Sequence, residues 1–139
     1  MFVNAQGVFL CYKHGSLKMI EQGRGGRIIG ACSMAGKVGD RTGFVYSASK
    51  FAVRGMTQAA ALELAKHNIT VNAYAPSAVD TEMTRKAFEE AGKTTDEATP
   101  LGRIGTPDDI AGLVSYLASE DAGFITGQSI GVNGGLHFD

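Results

Sequence analysis

The sequence predicts an α/β fold in which about three parallel strands alternate with helices. Two observations lead there: segments of helical period are interrupted by short β-branched runs in the order helix, strand, helix, strand, helix, strand, and no repeat or linker divides the chain. A third bounds the answer. At 139 residues, with 44% hydrophobic and 19% charged content, the chain suits one compact domain over residues 1–139. Parallel neighbours require right-handed crossovers, and ligands of such sheets sit beyond the carboxyl ends of the strands.

The first element is an amphipathic helix over Val3–Ile20, with apolar residues at Val8, Phe9, Tyr12, Leu17 and Ile20, stopped by the cluster Gly23-Arg24-Gly25-Gly26. Arg27–Cys32 reads as a short buried strand. After a Gly-containing loop through Gly43, Tyr46–His67 is the clearest helix, with Phe51, Met56, Ala60 and Leu64 on one stripe. Ile69–Ala75 follows as a strand closed by Pro76. Asp80–Gly92 has helical propensity, and the polar, aperiodic Lys93–Thr99 reads as a mobile loop over a site. Thr106 is an N-cap, Pro107 occupies the first helical position, and Asp108 and Asp109 face the positive end of the helix dipole, so a helix runs from there to about Ser119. Gln128–Val132 is the third strand, ahead of Asn133-Gly134-Gly135.

Charge and composition exclude several function classes. A net charge of −1 offers no basic field for nucleic acid or anionic lipid, which leaves a small molecule or another protein as partner. The longest apolar run, Val8–Tyr12, is far below the ~20 residues of a membrane helix, and no cationic leader precedes it. Cys11 and Cys32 lack the number for a disulfide framework and the spacing for zinc; both read as buried packing in a reducing compartment. A soluble, cytoplasmic protein is expected, with no metal.

The chemistry gathers at Tyr46-Ser47-Ala48-Ser49-Lys50, where a phenol and an ammonium four residues apart share one helix face. A phenol exchanges protons poorly at neutral pH unless a cation stabilises its anion, and Lys50 supplies that charge. Spacing alone does not decide the matter, because a surface Tyr-Lys pair arises often by chance. Ser33, thirteen residues earlier at the end of the first strand, adds a hydroxyl able to donate to a carbonyl oxygen that gains charge. A loop serine capping a turn is its plainer reading.

With these residues in place, the chain resembles the short-chain dehydrogenase/reductases over essentially its whole length. Asn4 in Val3-Asn4-Ala5-Gln6-Gly7-Val8-Phe9 looks like the family's helix-borne Asn, Ser33 after Ile28-Ile29-Gly30-Ala31-Cys32 like its Ser, and Tyr46 and Lys50 like its Tyr/Lys pair. The resemblance implies a partial Rossmann-like sheet and four catalytic residues. Tyr46 would exchange the proton with the carbonyl or alcohol oxygen, Lys50 would support it and hold the nicotinamide ribose, Ser33 would position the carbonyl, and Asn4 would bend its helix and hold a relay water. Val71-Asn72-Ala73-Tyr74-Ala75-Pro76-Ser77 with Asp80-Thr81 resembles the segment that wraps the nicotinamide, which implies Pro76, Ser77, Val79 and Thr81 as cofactor-binding, with Thr81 near the carboxamide. Ser77 stands where the family usually has Gly. Thr126-Gly127-Gln128 and Asn133-Gly134-Gly135 resemble the C-terminal signature.

The family's Gly-rich N-terminal βαβ unit has no counterpart here: Gly23–Gly26 lies at a helix end and is not a phosphate loop. The chain therefore reads as the C-terminal, catalytic half of such an enzyme, a fragment or truncated sequence that leaves a sheet edge bare. The implied cofactor is NAD or NADP, the choice residing in the missing half. Ile28–Gly36, Phe51–Ala61 and Ser115-Tyr116-Leu117-Ala118-Ser119 resemble the acetoin/diacetyl reductases, or butanediol dehydrogenases, which implies a small ketone or diketone, or the corresponding alcohol, as substrate. The segment between Met83 and Pro100 is shorter than usual for them. The helices near Val3 and Tyr46 resemble those that pair subunits, implying a homodimer or homotetramer. The alternative is an inactive module that keeps only those oligomerisation surfaces.

Overall fold

The structure, a computed structural model, describes residues 1–41, 43–92 and 99–138. Strands β1 (Gly26–Ala31), β2 (Ile69–Pro76) and β3 (Ser129–Val132) form one parallel sheet in the order β1-β2-β3. Register runs from Gly26 opposite Ile69 to Ala31 opposite Tyr74, and from Ala73 opposite Ser129 to Pro76 opposite Val132. The helices are α1 (Val8–Gln22), α2 (Phe44–Leu64), α3 (Glu82–Glu90) and α4 (Pro107–Ala118).

β2 is the central strand, and its alternation explains the layers. Ile69, Val71, Ala73 and Ala75 face α1 and α2, packing with Tyr12, Val53, Ala61 and Leu64. The intervening residues face the layer of α4, where Leu117 and Ala122 are fully buried. Burying each of Ile69, Val71 and Leu117 contributes about 1.5–3 kcal/mol, so this three-layer packing is what holds the strands in register. Asn72, buried in mid-strand, is satisfied by donating to Ile125 O at 2.8 Å and accepting from Gln128 N at 3.1 Å; it thereby fixes the entry into β3.

The α/β class and the order of elements match expectation, and the differences are local. Residues Phe2–Gly7 form a wide π turn before α1, opened by the Gln6 N–H reaching Met1 O at 3.3 Å, where a continuous helix from Val3 is expected. Gly23, at φ 68°, stops α1 as the glycine cluster foretold. The buried face of α2 runs through Ser49, Val53, Thr57, Ala61 and Leu64; Phe51, placed on the stripe by its hydrophobicity, is 44% exposed. Phe9 and Leu17 of α1 are likewise exposed. Cys32 is buried as expected but Cys11 is exposed, because α1 turns it away from the core that Tyr12 enters.

Pro76 belongs to β2 rather than following it. The last bond from β1 to β2 is Cys32 N–H to Tyr74 O, and Pro76 has the orientation of Tyr74, so its missing donor falls beyond the end of β1. The Lys93–Thr99 loop expectation lies outside the described residues except at Thr99, which is buried and donates to Arg103 O at 2.6 Å. No helix among the described residues is long and apolar enough to cross a membrane.

Candidate active site at the carboxyl ends of the strands

Three segments leave the carboxyl side of the sheet: Cys32–Gly36 after β1, Ser77–Thr81 after β2 and Asn133–Gly135 after β3. Ser33, extended at φ −169°, caps the short 3-10 turn Met34–Gly36, its Oγ accepting from Ala35 N at 3.2 Å. The turn-capping role therefore exists, and it leaves the hydroxyl hydrogen free to donate elsewhere. Asp40 N donates to Ser47 Oγ at 3.0 Å, which fastens the incoming loop to the first turns of α2.

Tyr46 stands in the first turn of α2, 45% exposed, its hydroxyl without a hydrogen-bond partner among the described residues. Lys50, one turn on, sets its ammonium 5.5 Å from the centroid of the Tyr46 ring. The same ammonium donates to Ala31 O at 2.8 Å. That carbonyl points away from β2: in a parallel pair the groups alternate, and Cys32 carries the bond to Tyr74. Lys50 thus sits at the carboxyl end of β1, on the edge that no described strand pairs with. Cys32 links strand to helix, its Sγ donating to Lys50 O at 3.4 Å.

Asn4 reaches the same place from the π turn. Its Nδ2 donates to Ser49 Oγ at 3.3 Å, and Ser49 Oγ donates to Tyr46 O at 2.7 Å. The structure therefore brings Asn4, Tyr46 and Lys50 into one cluster, with Ser33 joined to it through the adjacent Cys32. Gly36 makes the closeness possible, since a Cβ there would stand 2.5 Å from Cys32 Sγ and 2.7 Å from Lys50 O.

The residues after β2 form a separate wall. Pro76 closes the strand, Ser77 N donates to Val132 O at 3.2 Å, and Val79 bridges to Gly105. Thr81 is the N-cap of α3, its Oγ1 accepting from Thr84 N at 3.3 Å. A cavity of about 100 Å³ opens between this wall and β3, lined by Ser77, Leu101, Arg103, Val132 and Gly134 among others. Asp80 is held below the usual carboxylate range chiefly by its hydrogen bonds from Arg85, at 2.6 and 3.1 Å.

Ser49, the Ala31 carbonyl and Gly36 take part in the cluster without having been singled out from the sequence. Ser49 was legible in principle, being three residues from Tyr46 and so on its helix face. The other two act through backbone position, which residue type does not disclose. Among the described residues there is no group of His, Cys, Asp and Glu able to hold a metal ion.

A family model described as enoyl-(acyl carrier protein) reductase matches residues 1–137. A short-chain dehydrogenase/reductase of Armillaria gallica is 50% identical over 146 residues, covering 99% of this chain and 55% of its own. The (3R)-3-hydroxyacyl-CoA dehydrogenase of Homo sapiens is 42% identical over 134 residues, covering 96% and 51%. Among solved structures, acetoin dehydrogenase YohF of Salmonella typhimurium superposes with a TM-score of 0.83 at 39% identity, covering 96% of this chain and 52% of that one. ElxO with NADP bound superposes at 0.86 and 32% identity, covering 94% and 54%. The chain spans about half the length of the curated relatives it matches.

Proposed function

The chain belongs to the short-chain dehydrogenase/reductase family, and from that premise we propose that residues 1–139 form the catalytic portion of an NAD(P)-dependent oxidoreductase acting on a small ketone or diketone, or on the corresponding alcohol. The observation that carries the reading is the Lys50 ammonium set beside the ring of a half-exposed Tyr46.

The donor set suits a nicotinamide ribose and a carbonyl. The Lys50 ammonium donates to a backbone carbonyl, Ser33 keeps a free donor, and Pro76, Ser77, Val79 and Thr81 end or follow the neighbouring strand β2 at the same carboxyl side of the sheet. When bound, the nicotinamide supplies or accepts the hydride. Tyr46 gives its phenolic proton to the carbonyl oxygen in reduction and takes it back in oxidation. Ser33 donates to the same oxygen and orients it, Lys50 stabilises the phenolate and holds the ribose, and Asn4 braces the helix turn from which Tyr46 projects. Gly23–Gly26 lies at the amino end of β1, opposite this site, so pyrophosphate binding falls to a part of the enzyme outside residues 1–139. NADP binding by a similar structure leaves NAD and NADP both open.

Likeness to an acetoin dehydrogenase favours a small vicinal dicarbonyl, while likeness to a hydroxyacyl-CoA dehydrogenase brings a longer acyl substrate into the comparison. Turnover of diacetyl and acetoin against an acetoacetyl thioester decides between them. The chain has no Trp, so NADH and NADPH titrations can be followed by the cofactor's own emission. Saturable binding and diacetyl reduction that Tyr46→Phe abolishes carry the proposal; a folded chain that binds neither cofactor overturns it for these residues alone.

A second reading has its own observation. Phe9 and Leu17 of α1 are exposed beside a groove of about 440 Å³ between α1 and α2. An inactive module that pairs through these helices as a homodimer or homotetramer would use that face. Light scattering tests it: a monomer removes this reading.

A further inference from the structure

We propose that Ser49 is a positioning residue, the relay through which Asn4 fixes the helix turn that carries Tyr46. The inference rests on the reading of Tyr46 as the acid/base group and assigns how that group is held.

Three atoms form a directed chain: Asn4 Nδ2 to Ser49 Oγ at 3.3 Å, then Ser49 Oγ to Tyr46 O at 2.7 Å. A helical serine often donates to a carbonyl three residues back, and alone that contact is local. Asn4, 45 residues away in sequence, makes it tertiary. The hydroxyl accepts with a lone pair and donates with its one hydrogen, so a single oxygen joins the π turn Phe2–Gly7 to the first turn of α2. Ser49 is 1% exposed whereas Tyr46 is 45% exposed, so the hydroxyl that ties down this helix turn is buried while the phenol that must meet substrate faces outward. Asn4 itself is half-buried.

The relay predicts a pattern unlike that of a packing defect. Ser49→Ala removes both bonds and lowers kcat for ketone reduction about tenfold with KM little changed, because orientation rather than binding is lost. Ser49→Thr keeps the hydroxyl and restores most of the rate. Asn4→Ala combined with Ser49→Ala is no worse than either alone, since both break one chain. Asn4→Asp, whose carboxylate cannot donate, draws the Ser49 hydrogen away from Tyr46 and reproduces the loss even if Ser49→Ala folds poorly.

The measurements are steady-state kinetics on the full chain and ring-¹³C relaxation of Tyr46, assigned by Tyr46→Phe. The expected result is a narrow Tyr46 signal in the wild type, broadened in Ser49→Ala and Asn4→Asp and narrow again in Ser49→Thr. Additive losses, or a Tyr46 signal indifferent to all four substitutions in folded protein, overturn the relay. A wild-type chain that shows the relaxation pattern but no turnover supports the relay and counts instead against the catalytic reading of these residues.

Discussion

Glycine at position 36 is where packing and chemistry meet most closely. Its missing side chain lets the turn after Ser33 lie against Cys32 and the Lys50 carbonyl. Gly36→Ala forces either the turn or the start of α2 to move, at a cost of about 1–3 kcal/mol. Thermal melts should show that loss, and the proposed ketone reduction should fall further than stability alone explains, because the displaced segments carry Ser33 and Lys50. Gly30 serves α1 in the same way: a Cβ there would collide with the Tyr12 hydroxyl, which pairs with Thr57 Oγ1 at 2.9 Å. Burial is the main cause that raises the Tyr12 phenol above its ordinary range, against a smaller opposing effect of the Thr57 bond. The folded state then favours neutral Tyr12, so its contribution is fully present below the unfolded value near ~10 and is lost as pH rises through the folded one. Melts from pH 9 upward should fall more steeply for the wild type than for Tyr12→Phe.

Helix α4 is the element whose local rules are most complete. Thr106 Oγ1 accepts from Asp109 N at 3.3 Å, Asp109 Oδ2 accepts from Thr106 N at 2.7 Å, and Pro107 opens the helix. Arg103 adds a two-pronged bond to the same carboxylate, at 2.7 and 3.0 Å. Those donors, Arg103 first, hold the Asp109 carboxyl far below the usual carboxylate range. A depressed value contributes stability above the unfolded pKa near ~3.9 that is lost as pH falls through the folded one. Wild-type melts should therefore drop below about pH 4, and Asp109→Asn should flatten that limb. Thr106→Ala should cost about 1 kcal/mol at neutral pH. Helix α3 uses Thr81 in the same capping role, so Thr81→Val tests the cap and the proposed cofactor contact together: a loss of cofactor affinity with an unchanged melt would separate the two.

At the scale of the molecule, β1 is an edge strand of the described sheet. Arg27, Ile29 and Ala31 direct their backbone groups away from β2, and no described strand pairs with them. Amide exchange should be fast at Ile29 and Ala31 and slow at Val71 and Ala73 in β2, which has strands on both sides. Equal protection on both strands would mean that another segment covers the edge. The Lys50 ammonium at the Ala31 carbonyl is part of the same condition, because a strand added there would compete for that acceptor.

Much of this was legible from one sequence. Tyr46 and Lys50 become candidates by a spacing that any α-helix turns into proximity, and Thr106-Pro107-Asp108-Asp109 carries its cap and first turn within four residues. Ser33 follows from the strand-end rule and Gly23 from its left-handed stop. Such features are local: the chain within one or two turns contains all the atoms that make them. The phase of α2, the exposure of Cys11, the Asn4-Ser49-Tyr46 chain and the Lys50 to Ala31 bond are of another kind. Phe51 is apolar enough to be buried and Cys11 small enough, yet which face meets the sheet depends on how α1 and α2 share β1 and β2. A hydrogen bond spanning 45 residues depends on that same packing, which side-chain type and spacing do not encode. The sequence by itself determined the α/β order and offered the candidate residues of the site; only the tertiary structure decided which of them touch, because contact between distant segments is set by the whole core rather than by either segment.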